Sequence, residues 1–183
     1  MAATVASEPL NVQWDGDLLR LSAPQFHFIT GQPLEKLKNG APVGYLWQVT
    51  LFSDAYTTPW RRVPGRFIVS YDLWEEKFSV TQPGIAPRSV SHLSAAAAEA
   101  WCLENIVLNS AGMDRDRPFW VRLDLRVEDP RQPAGVVGDA GINITRLIEL
   151  FSRPPGQANP HWSAAAGPLR LADLRRAPGN RAG

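Results

Sequence analysis

The residues whose types and spacing could do chemistry in this chain are arginines interleaved with tryptophans. Arg61, Arg62 and Arg66 follow Trp60 in "WRRVPGR", and Trp120, Arg122 and Arg126 recur in "FWVRLDLRV". Residues two apart on a strand share a face. Trp120, Arg122, Asp124 and Arg126 therefore line one side of the second segment. If the two segments are neighbours, guanidinium groups and indoles form one surface suited to stacking and anion binding. Asp72 and Asp124 share those faces and can instead neutralise the arginines across strands. The candidate binding surface is Trp60, Arg62, Arg66, Trp120, Arg122 and Arg126. Tyr45 and Trp47 join it from "PVGYLWQVTLF", but they alternate with Val49 and Leu51. That parity makes them core first, and the lining of a cavity only if the core is hollow.

Other reactive residues do not assemble into a motif. His27, His92 and His161 are far apart, and none has a cysteine or carboxylate at metal-ligand spacing. There is no G-x-S-x-G and no Ser-x-x-Lys of the usual kind. Cys102 excludes an intrachain disulfide and falls beside Trp101 in an alanine-rich segment, where a buried, inert thiol is expected. "GVVGDAG", Gly135 to Gly141, follows the loop-like "DPRQPA" rather than a buried strand, so it reads as a link and not a phosphate cradle. The amides ahead of Asn143 leave room for weak anion binding. Glu75-Glu76 and Asp114-x-Asp116 fall in turns, as solvated carboxylates. The glycosylation triplet at Asn143 falls in a segment expected to pack as a helix. No catalytic residue, no cofactor site and no metal site is nominated.

The bulk numbers agree with a binding or structural role. A chain of 183 residues supports one sizeable core. Its net charge of +1 provides no field to draw it onto nucleic acid or a membrane surface. No apolar run approaches the roughly 20 residues that span a bilayer. The 16 prolines imply many connections, and the 7 tryptophans imply either core filling or an aromatic face.

Elements must position these residues. Leu10, Val12 and Trp14 alternate before Asp15-Gly16, and Leu19, Leu21 and Ala23 alternate after it, which predicts a hairpin. Pro24 breaks the phase. Pro33 to Gly40 predicts a short helix with a glycine stop. Residues 42–53 predict a strand and 54–65 a polar connection. Phe67, Val69, Tyr71 and Leu73 predict a strand paired through "EEK" with Phe78 and Val80. "SHLSAAAAEAWCLENIVLNSAG" predicts one long alanine-rich helix capped by Ser91 or Ser94, ending at Asn109 or Gly112. Phe119 to Val127 predicts a strand with one buried and one wet face. "INITRLIELFSR" predicts an amphipathic helix with Ile144, Leu147, Ile148 and Phe151 on one stripe.

The expected order is β-β-α-β-β-β-α-β-α. Strands joined mostly by short turns give an α+β fold: an antiparallel sheet of five to six strands, or a small sandwich, with two helices packed on it. Residues 1–9 read as a disordered leader, 10–153 as one domain, and 154–183 as a Pro/Ala/Arg-rich tail in which "PLRLADLRR" can form a short helix.

The order of features resembles a family of bacterial envelope proteins known as domain of unknown function 4390. "DLLRLSAPQFHF" resembles its opening strand, and "LEKLKNGAPVGYLWQVTLF" its helix, glycine and aromatic strand. "WRRVPGRFIVSYDLWEEKFSV" is similar to its Arg-rich link and hairpin. "SVSHLSAAAAEAWCLENI" with "FWVRLDLRVED" is similar to its Ser-Leu helix and final strand. The family's Trp-rich end is replaced here by "GINITRLIELFSRP". The resemblance implies export and no catalytic residues. It agrees with "ATVASEP", which looks like the small, polar stretch after a cleaved signal, although "MAATVASEPL" itself has no basic or apolar signal region. The expectation is a periplasmic or secreted, non-catalytic domain binding a protein or envelope component through a sheet face or edge. The cytoplasm is the alternative compartment. The alternative functions are a carrier of a lipid or other hydrophobic ligand, an enzyme with an unrecognised site, and a structural piece of an assembly.

Overall fold

The computed structural model describes residues 7–128 and 160–174, and the backbone of 137–138 and 141–142. A two-residue strand β1 (Glu8–Pro9) precedes the hairpin of β2 (Asn11–Asp15) and β3 (Leu18–Ser22). Gly16 makes that turn at φ +62°, a conformation glycine adopts without a Cβ clash. Residues 23–30 carry Phe26, Phe28 and Ile29 into the core. Helix α1 (Gly31–Lys38) buries Pro33 and Leu37, and the chain leaves it through Asn39 and Gly40. Strand β4 (Val43–Phe52) follows, then β5 (Pro59–Asp72), β6 (Lys77–Gln82) and β7 (Arg88–Leu93). Helix α2 (Ala95–Glu104) starts at Ser94, whose hydroxyl accepts from the Ala97 N–H at 3.2 Å. Strands β8 (Val107–Asn109) and β9 (Phe119–Val127) follow, then the paired dipeptides β10 (Val137–Gly138) and β11 (Gly141–Ile142). Strand β12 (His161–Leu169) and a 3-10 turn, Leu171–Asp173, complete the described chain.

The architecture is α+β. The main sheet has seven strands in the order β1-β12-β9-β4-β5-β6-β7, and a second has three in the order β2-β3-β8. Pairing is antiparallel except between β1 and β12, so the large sheet is mixed. One face of the large sheet buries Tyr45, Trp47, Val49, Leu51, Phe67, Leu123 and Leu125 against the small sheet, residues 26–29 and α2. Among the described residues no helix is long and apolar enough to cross a membrane.

Several expectations are corrected. The long alanine-rich helix is ten residues. Ser91, His92 and Leu93 belong to β7, and Val107 to Asn109 pair with Leu18 to Arg20. Helix propensity across that segment yields to strand pairing at both ends. The polar connection is shorter than expected, because β5 already begins at Pro59: Pro59, Arg61 and Arg62 lie opposite Phe52, Leu51 and Thr50, with Trp60 at an irregularity between them. The sheet is wider than five to six strands because the segment read as tail supplies β12, which pairs along β9 from His161↔Arg126 to Leu169↔Phe119. Glu8 and Pro9, read as leader, pair with Ala164 and Ala165. The amphipathic helix expected at 142–153 lies outside the described residues, except that Ile142 belongs to β11.

The wet face expected on β9 is also corrected. Asp124 and Arg126 are 9% exposed, and on β4 Leu46, Gln48, Thr50 and Phe52 are buried as well. β4 lies between β5 and β9, so long side chains from both neighbours close over it. Arg122 lies 5.2 Å above the ring of Phe52. Both faces of β4 are therefore core, as its near-continuous apolar sequence requires.

Candidate functional site

The face of the large sheet opposite α2 is built in register rows. Arg66, Leu46, Arg126 and His161 form one row across β5, β4, β9 and β12. Pro64, Gln48, Asp124 and Ser163 form the next, and Arg62, Thr50, Arg122 and Ala165 the third. The structure thus gathers four of the expected residues, Arg62, Arg66, Arg122 and Arg126, on one face, with Trp120 beyond them opposite Phe52. A Cβ at Gly167 would fall 2.6 Å from Trp120 Cγ, so the indole lies against that glycine. Trp60 is 41% exposed at the start of β5, with the Arg61 guanidinium 4.6 Å from its ring centre.

Tyr45 and Trp47 point the other way. They are on the α2 side of β4 and are 0% and 4% exposed. The Tyr45 hydroxyl donates to the Phe28 carbonyl at 3.2 Å, and its ring packs against Phe28 and Trp162. Burial first, then the charge of Glu99 and the proximity of Cys102, push the Tyr45 phenol well above its ordinary range.

Two acid-base constellations organise the arginine face. Asp124 accepts from Arg122 Nε at 3.0 Å and pairs with His161 Nε2 at 3.4 Å. Burial acts to raise the Asp124 carboxyl. The hydrogen bonds and charges of His161 and Arg122 outweigh it, and its pKa is lowered. Burial lowers the Arg126 guanidinium while the Asp124 charge opposes that shift. Next to them Gln48 donates to Thr50 at 3.4 Å, and its buried side-chain carbonyl has no hydrogen bond among the described residues.

The second constellation pairs Arg66 with Glu128. Nε of Arg66 donates to a Glu128 oxygen at 2.8 Å, and Nη2 lies 2.7 Å from the same oxygen. The Glu128 side chain is 10% exposed and that of Arg66 22%. Gly44 makes this possible. The Glu128 N–H donates to the Gly44 carbonyl at 2.8 Å, and a Cβ at residue 44 would collide with the Glu128 carboxylate. A glycine inside a strand often marks such a close approach. "PVGYLW" carried that signal, although nothing in the sequence said which residue would approach.

Beside this pair a cleft of about 600 Å³ opens between the end of α1 and the sheet. Lys36, Pro42, Val43, Arg66, Ile68, Val127 and Glu128 line it. Two smaller cavities lie elsewhere. One of about 280 Å³ includes Trp60, Met113, Asp114 and Arg117. One of about 200 Å³ lies between residues 22–27 and α2.

The 200 Å³ cavity borders a charged residue that sequence reasoning missed. Glu99, on the buried side of α2, accepts from the backbone N–H groups of Phe28 and Ile29, the latter at 3.1 Å, and pairs with His27 Nδ1 at 3.1 Å. Its carboxylate satisfies a buried segment that has no strand partner. The apolar stripe of the helix hid it, because a buried acid looks like a surface acid in sequence. Among the described residues no group of three or more metal-binding side chains converges.

No family model matches the chain, and no curated protein or solved structure does either.

Proposed function

We propose that this chain is a non-catalytic binding domain that recognises an acidic protein or envelope component through the arginine face of β5, β4 and β9. One observation carries the reading: Arg62, Arg66 and Arg122 share this face, and among the described residues the carboxylates that pair there go to the other two and leave Arg62 over. Asp124 answers Arg122 and His161, and Glu128 answers Arg66. Arg62 is exposed and forms no ion pair among the described residues. An exposed aromatic ring stands at the same face: Tyr56, 37% exposed, packs edge-on against Phe52, over which Arg122 lies. Arginine and aromatic rings at a partly desolvated surface are what partner hot spots are made of. Electrostatic complementarity then steers the encounter. The resemblance to domain of unknown function 4390 supports an exported location, periplasmic or at the cell surface.

The test is complementation of a deletion strain by Trp60→Ala and Arg62→Glu. Both side chains are exposed, so the melting temperature should hold while the phenotype is lost. Full complementation by the double variant would overturn the reading. Fractionation of a tagged full-length protein should place it outside the cytoplasmic membrane; a cytoplasmic pool alone would overturn the location.

A further inference from the structure

We propose that the cleft beside Arg66 and Glu128 is a binding site for an amphipathic anion: an apolar chain or ring ending in a carboxylate or phosphate. Its volume of about 600 Å³ lies within the range of small-molecule sites, about 300–1,000 Å³. Its walls are chemically divided. Pro42, Val43, Ile68 and Val127 present carbon, while Lys36, Arg66 and Glu128 present charge. Such division selects against the simpler ligands. A purely apolar molecule would offer nothing to Lys36 or to the Arg66 nitrogen that Glu128 does not engage. A small hydrated anion would gain nothing from the carbon walls.

The sign of the head group follows from the charge count. Among the described residues that line the cleft, Glu128 offsets one of the two cations and leaves one positive charge in excess. Lys36 is exposed and forms no ion pair among the described residues. Arg66 commits Nε and Nη2 to Glu128, and a guanidinium carries five N–H donors in a fixed fork. Nη1 therefore remains for a ligand oxygen. Glu128, seated on Gly44, holds the fork in one orientation before any ligand arrives. A pre-oriented arginine loses less entropy on binding an oxyanion. Lys36 supplies the mobile second contact.

The site shares Arg66 with the partner-binding face, but Arg62, Trp60 and Arg122 do not line it. The two readings can therefore fail separately. Four probes with the same ten-carbon tail separate head group from tail: decanoate, decyl phosphate, decanol and decyltrimethylammonium. Inorganic phosphate tests the head alone. Titration calorimetry on the whole chain, below the micelle threshold, should show the two anions binding at least about tenfold more tightly than decanol or the cation. Inorganic phosphate should give no measurable heat. Preference between decanoate and decyl phosphate tells a free fatty acid from a phospholipid head group. Lys36→Glu, at an exposed helix position, should weaken both anions about tenfold with no change in melting temperature. Arg62→Glu should leave their binding unchanged. Equal binding of all four probes, no binding of either anion, or unchanged affinity in Lys36→Glu would overturn the proposal. Loss of binding in Arg62→Glu would overturn its location.

Discussion

The indole of Trp47 occupies the space that a side chain at Gly65 would need. The two are register partners on β4 and β5, and a Cβ at residue 65 would fall 2.7 Å from the indole nitrogen. Trp47 is also stacked on Phe67, with ring centres 5.9 Å apart and planes at 27°. The glycine therefore lets a tryptophan lie flat along the neighbouring strand. Gly65→Ala should overpack this point and cost about 1–3 kcal/mol. Urea unfolding would measure it. A variant as stable as the parent would show that the indole has room to move.

Glu99 should matter more than any surface acid. Glu99→Ala leaves the buried N–H groups of Phe28 and Ile29 without their acceptor. Each unsatisfied group costs about 1–3 kcal/mol. The expected loss for the two is about 2–6 kcal/mol. Amide exchange at residues 28 and 29 should rise more than at the centre of β4. A uniform rise across the fold would point to general destabilisation instead.

Asp124 should shape the acid limb of stability. Its folded pKa is lowered by His161 and Arg122 despite burial. The unfolded chain then binds the proton more readily. The stabilisation is fully present above the unfolded value of about 3.9 and is lost as pH falls through the folded value. Asp124→Asn should be less stable than the parent at neutral pH. Its stability should also fall less steeply below about pH 4. Parallel pH profiles for the two proteins would exclude this role.

Cys102 should be silent in the folded protein. It is fully buried, and burial first, then the Glu99 charge, raise its thiol far above the ordinary value. Thiolate is the reactive form. Iodoacetamide should not label the native chain within hours and should label it in urea within minutes. Prompt native labelling would mean that α2 opens readily.

The arginine face was partly legible because alternation is local. Arg122 and Arg126 share a face of β9 whatever lies beside it, and β5 does bring Arg62 and Arg66 to the same side. Yet the partners that set their chemistry come from elsewhere. Glu128 reaches Arg66 across a separation of 62 residues, and His161 reaches Asp124 from a segment that read as tail. Gly44 marks the first approach without saying which residue makes it, and no residue marks the second. Glu99 was hidden for the same reason, since its role depends on backbone N–H groups 70 and 71 residues away.

The sequence by itself determined what a few neighbouring residues can decide. The hairpin about Gly16, a serine cap at Ser91 or Ser94, the alternation of β4 and β9 and the β5–β6 pairing all follow from turn chemistry and side-chain period. Only the tertiary structure decided which faces are dry, where strands end and which charges meet. β4 is buried on both sides because it lies between β5 and β9. Residues 161–169 form a strand because β1 and β9 offer edges on either side. Val107 to Asn109 leave the helix because β3 offers an edge to pair with. Those outcomes rest on hydrogen bonds and burial between distant segments, which local propensity cannot encode.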